Sequence, residues 1–103
     1  MVVLNFPFSA LTQTKRRPAL VLAELQGDDL ILCQITAQAR SHPYSVTLEA
    51  GDFTMGGLNQ SSRVRPNRLF TSDQGIILYR AGQVTKAKLD EVIARLSVIL
   101  QQP

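Results

Sequence analysis

The hydrophobic period of this chain changes once, and the change limits the folds open to it. As far as residue 80 the apolar residues stand in short runs or alternate with period two. From Thr85 onward, Leu89, Val92, Ile93, Leu96, Ile99 and Leu100 recur at helical spacing. Thr85 is a good N-cap, because its hydroxyl can accept a hydrogen bond from an orphaned N–H of the first turn, and Glu91 stands four residues before Arg95 as a favourable pair. The pattern predicts several strands and then one amphipathic helix. That is a mainly β fold, a small antiparallel barrel or rolled sheet with the helix packed on it. With 103 residues there is room for one domain, 1–103, whose small core would gain stability from the association of two copies.

Residues 2–6 read as a strand ended by Pro7, with 8–14 as the loop that follows. The uninterrupted run Ala19-Leu20-Val21-Leu22 within 17–23 is that of a strand covered on both faces, and 26–29 turn the chain into a partner at 30–37. In that partner Gln34 and Thr36 face away from Ile35, which predicts Thr36 exposed at a strand end. Residues 44–48 alternate as a half-buried strand, 51–61 read as a loop with one turn, 62–66 as a short strand and 76–79 as the last. In 62–66, alternation puts Arg63 and Arg65 on one face and Val64 on the other. Two arginines on one face rarely form a core.

Composition narrows the chemistry. A charged fraction of 18% beside 45% hydrophobic residues is too low for a solvated disordered chain. Cys33 is the sole cysteine, so no intramolecular disulfide or thiolate metal cluster can form, which favours a reducing cytoplasm; His42 alone cannot make a zinc site. The uncharged stretch 1–14 lacks a basic leading segment and contains Asn5 and Pro7, so no signal peptide is expected, and no apolar run approaches the roughly 20 residues that span a bilayer. The net charge of +3 is modest but uneven. Lys15, Arg16 and Arg17 are consecutive, and Arg63, Arg65 and Arg68 lie within 53–72, where there is no Asp or Glu. Brought together by the fold, the two clusters would make a groove for a polyanion.

No nucleophile elbow, Walker loop, zinc-protease helix or dinucleotide fingerprint is present, so neither metal ligands nor cofactor are implied. Cys33, inside an apolar strand pattern, reads as a small buried hydrophobe, and His42 beside Pro43 as a surface residue. Arg17 precedes Pro18, which favours an extended backbone and holds the guanidinium at the entrance of a strand, as a phosphate clamp requires.

The blocks Asn5-Phe6-Pro7-Phe8, Lys15-Arg16-Arg17-Pro18-Ala19-Leu20-Val21-Leu22 and Leu32-Cys33-Gln34-Ile35-Thr36-Ala37-Gln38 resemble, in order and spacing, the PemK/MazF family of toxin–antitoxin ribonucleases. Ser62-Arg63-Val64-Arg65, then Leu69 and Thr71, and the terminal Glu91-Val92-Ile93-Ala94-Arg95-Leu96 extend the resemblance over nearly the whole chain. It implies an SH3-like barrel with a terminal helix, a homodimer, and metal-independent cleavage of single-stranded mRNA by a toxin of the bacterial cytoplasm. A cognate antitoxin would silence it, and operator DNA would be bound by the toxin–antitoxin complex. The family Arg of the R-P block matches Arg17, the Thr of the I-T block Thr36, and the Arg of the V-R block Arg65, which makes these three the expected catalytic residues. Some members carry Asp two residues after that last Arg; here the position is Asn67, so a carboxylate acid/base role there is absent.

The residues are compatible with that chemistry. RNA carries its own nucleophile, the 2′-hydroxyl, so two arginines and a threonine could stabilise a charged phosphorane without a metal. The general base is not evident, since arginine is essentially always protonated. For RNA binding, Phe8 and Tyr44 are candidates to stack on bases, Gln38, Asn67 and Arg68 to read base edges, and Lys15, Arg16 and Arg63 to hold phosphates. Two rivals stay open: a non-catalytic toxin acting on a protein such as DNA gyrase, as the related CcdB barrel does, and a nucleic-acid-binding module without activity.

Overall fold

A computed structural model describes residues 1–7, 14–37 and 43–102. In chain order the elements are β1 (Val2–Pro7), β2 (Thr14–Glu24), β3 (Asp29–Thr36), β4 (Val46–Leu48), a 3-10 turn (Ala50–Asp52), β5 (Phe53–Gly56), β6 (Ser62–Asp73), a second 3-10 turn (Gln74–Ile76), β7 (Ile77–Arg80), β8 (Gly82–Val84) and α1 (Lys86–Leu100). Six strands form one antiparallel sheet in the order β4-β6-β3-β2-β1-β7, and β5 and β8 pair as a separate ribbon. The fold is the mainly β, SH3-like one expected, with a single terminal helix, but the sheet is not closed into a barrel: β4 and β7 remain its edges. Among the described residues no helix is long and apolar enough to cross a membrane.

Alternation explains why the central strands are apolar throughout. Leu20, Cys33, Ile35, Val46, Leu48 and Val64 share one buried cluster with Val92 of the helix, while Val2, Leu4, Ala19, Leu30 and Leu32 form a second. Neighbours in sequence therefore bury opposite faces, as the unbroken run 19–22 requires.

Strand β6 does not end at Pro66. Residues 69–73 pair with 33–29; the register then slips, and Arg65, Val64 and Arg63 pair with Gln34, Ile35 and Thr36. Pro66, Asn67 and Arg68 form a three-residue bulge between the two halves. Proline lacks an N–H to donate, so it fits a segment that owes the ladder nothing, and its ring is fully buried there. The loop expected at 51–61 contains β5, and β8 lies beyond the last strand that the sequence pattern predicts. The ribbon they form closes tightly on glycine: at Gly56, φ +63°, an added Cβ would collide with the Ala81 carbonyl.

The helix begins as the sequence indicates, with Thr85 Oγ1 accepting from the Lys88 N–H at 3.1 Å. The expected Glu91–Arg95 pair does not form. Lys88 is buried beside Val92 and captures Glu91 instead: its Nζ donates to Glu91 Oε1 and to the Thr47 carbonyl, each at 2.9 Å, with Asp52 Oδ2 at 3.6 Å. Arg95 turns to the Pro43 carbonyl. The buried ammonium thus ties the helix to edge strand β4.

Cys33 is fully buried, and burial pushes its thiol up to about 12. The native thiol is therefore expected to resist iodoacetamide at pH 8 and to react only after unfolding. A raised folded pKa favours the native state fully below the ordinary value of 9.0, and this contribution is lost as pH rises from there through about 12. Rapid alkylation of the native protein at pH 8 would contradict the assignment.

Candidate functional site

Directly paired residues of an antiparallel sheet point to one face, so the register shows which of the candidate residues share one. Gln34 is opposite Ala19 on β2 and Arg65 on β6; Thr36 is opposite Arg63, which is opposite Thr47 on β4. The same β2–β3 register carried two residues further sets Arg17, partner of Leu4, level with Thr36. Arg17, Thr36 and Arg63 therefore form one row across three strands, with Gln34 and Arg65 in the next row of the same face. Val64 and Ile35 lie on the opposite face, 0% and 1% exposed, which pins the orientation of their neighbours.

Two local expectations change. Thr36 is buried, at 5% exposure, instead of exposed at a strand end, because β4 and β6 continue beside it. Arg17 lies inside β2, which already begins at Thr14, and is half-buried. Arg63 and Arg65 are half-buried as well; no carboxylate among the described residues pairs with either, and Arg65 Nε is buried without a hydrogen-bond partner. A guanidinium partly withdrawn from water in this way binds an incoming anion more strongly than one fully in water.

Of the proposed RNA contacts, Arg16 is exposed on β2 beside this cluster, and Asn67 and Arg68 project from the β6 bulge next to Arg65. Tyr44 lies outside the rows, half-buried, its hydroxyl donating to Gln102 Oε1 at 3.2 Å. Phe8, Gln38 and His42, and the side chain of Lys15, fall outside the described residues. Gln34, which is not among the expected site residues, shares that face, as its alternation with Thr36 implies. A groove of about 300 Å³ opens at the Arg16–Arg17 end of the sheet beneath residues 58–60. A larger depression of about 560 Å³ near Glu24 and Arg80 includes none of the expected site residues, so its size does not make it the site.

A family model of the PemK-like, MazF-like toxin of type II toxin–antitoxin systems matches residues 1–100. The chain belongs to that family. A Deinococcus radiodurans MazE–MazF crystal structure is 28% identical to this family member, covering 99% of this chain and 92% of that one with a TM-score of 0.77. The Mycobacterium tuberculosis toxin MazF-mt6 is 16% identical, with coverage of 100% and 99% and a TM-score of 0.73. An endoribonuclease in complex with its cognate antitoxin, from a mycobacterial species, is 17% identical over 99% and 93% of the two chains, with a TM-score of 0.68. At such identities the last two show a shared fold. No curated protein sequence matches the chain. The sheet of this MazF-like toxin brings Arg17, Thr36 and Arg65, which span nearly fifty positions of the chain, onto one face.

Proposed function

We propose that this MazF-like toxin is a metal-independent endoribonuclease that cuts single-stranded mRNA in the bacterial cytoplasm, with Arg17, Thr36 and Arg65 as its catalytic residues. The observation that carries the reading is the shared face: two half-buried arginines and a threonine level with or one row from each other, with Arg63 beside them. The 2′-oxygen attacks phosphorus and loses its proton, the P–O5′ bond breaks, and O5′ takes up a proton. Arg17 and Arg65 neutralise the charge that accumulates on the phosphoryl oxygens, and the Thr36 hydroxyl hydrogen-bonds one of them. None of these roles asks for a Lewis acid.

Family membership and the antitoxin-bound relatives support a cognate antitoxin as regulator, covering the arginine face by charge complementarity. Self-association is part of the same reading, since edge strand β7 leaves Leu78 and Tyr79 exposed; sedimentation should give twice the 11.4 kDa chain mass. Cleavage of mixed RNA in EDTA should yield fragments ending in a 2′,3′-cyclic phosphate, with 5′-hydroxyls on their downstream partners. Activity abolished by EDTA and restored by a divalent ion would sink the mechanism, and absence of any cleavage would favour a protein-directed toxin.

A further inference from the structure

We propose that the groove beneath residues 58–60 is a nucleobase pocket and that Asn59 and Gln60 determine which base it accepts. The inference rests on the ribonuclease reading and goes beyond it to the residues that set sequence preference.

Three observations converge. The floor is apolar: the half-buried Pro18 and Leu58 and the exposed Ala37, backed by the buried Ile35, offer a surface for the face of a base. The wall above it is held in place. Leu58 packs on the main core cluster, the Gly57 N–H donates to the Ala81 carbonyl, Ser61 Oγ donates to Glu49 Oε1 at 2.8 Å, and Ser62 Oγ donates to the Gln60 carbonyl. Between these anchors stand Asn59 and Gln60, both exposed, whose side-chain amides have no partner among the described residues.

A fixed backbone with two uncommitted amides is suited to reading a base edge. Each amide offers a donor and an acceptor, so one can make two hydrogen bonds to a single edge and reject a base with the wrong pattern. Arg16 and Arg17 border the same groove at the end of the sheet; Pro18 and Ile35 of its floor alternate onto the face opposite the arginine row, so Arg17 is the residue common to the groove and to that row. An acidic peptide would use the arginines and leave both amides to solvent. A single-stranded RNA uses all three parts.

The experiment compares the wild type with Asn59→Ala and Gln60→Ala on a mixed-sequence RNA, mapping every new 5′-hydroxyl end and scoring base frequencies around the cut. Both substitutions are at exposed positions and leave the Gln60 carbonyl in place, so the melting temperature should not change. Each variant should relax the preference at one and the same position by roughly 10-fold or more, by slowing cleavage at sites that carry the preferred base relative to sites that carry the others. A base profile identical to wild type in both variants, or a uniform loss of cleavage with the profile intact, would overturn the inference. A second arm measures binding of short oligo(A), oligo(C), oligo(G) and oligo(U) by fluorescence anisotropy. If the wild type cuts nothing, the ribonuclease reading fails. The pocket then stands only if the wild type discriminates among the four oligomers and the variants do not; equal binding of all four would dismiss it.

Discussion

Arg65→Ala is expected to lower the single-turnover rate of RNA cleavage by about 10²–10³-fold while changing RNA affinity only a few-fold. The reason is the half-buried position of the guanidinium, with Nε out of solvent and no carboxylate paired with it among the described residues. Its charge is repaid most fully when the phosphorane forms, so the loss falls on the transition state. Arg17→Ala and Thr36→Ala should behave alike, and Thr36→Ser, which keeps the hydroxyl, should recover much of the rate. Arg63→Ala should differ in kind: weaker binding and a salt slope reduced by about 1, as for a simple phosphate contact. Circular dichroism melts serve as the control for folding. Equal effects of Arg63→Ala and Arg65→Ala on rate and affinity would make both generic charges and remove Arg65 from the mechanism.

Val64 lies between those two arginines in sequence and on the other side of the sheet in space, so a charge placed there should abolish folding and not merely activity. Val64→Asp would bury a carboxylate at a site of 0% exposure among Leu20, Ile35 and Val92. An unpaired buried charge costs several kcal/mol against a total stability of about 5–15 kcal/mol. The variant should show no cooperative thermal transition and no protected core amides. Val64→Ala, which removes two methyl groups and leaves a small cavity, should fold with a loss of about 2 kcal/mol and retain cleavage. A well-folded Val64→Asp protein would mean that the register given for β6 is wrong.

How much of this was legible in the sequence depends on what kind of interaction shaped each part. The helix and the buried central strands were readable because burial imposes a period, and Leu89, Val92 and Ile35 obey it. Alternation also gave the shared faces of Arg63 with Arg65 and of Gln34 with Thr36. The strands β5 and β8 leave no periodic signal because they are three or four residues long and glycine-bearing, and β5 buries no side chain fully. Pro66 looked like a terminator since proline breaks a ladder; nothing local signals that β6 resumes after the bulge and pairs again with β3. Lys88 was hidden for the opposite reason. Lysine in a helix is normally solvated, and its three-way capture by Thr47, Glu91 and Asp52 exists only once strand β4 is beside it. The placement of Arg17, Thr36 and Arg65 in adjoining rows is likewise a property of register, which a single chain reading does not supply.

The bulge at residues 66–68 also acts as a parity device. Before it, the odd-numbered residues Arg63 and Arg65 share the face of the candidate site; after it, the even-numbered Phe70 and Ser72, partners of Leu32 and Leu30, occupy that same face. Only an odd number of extra residues can make that exchange, because each step along a strand turns a side chain over. Substitutions within the bulge leave the count intact and can vary the exposed Asn67 and Arg68 freely with respect to the fold. A single deletion or insertion cannot: it would turn either the arginines into the core or Phe70 and Ser72 out of it. In this segment the length of the chain is under tighter constraint than its chemistry.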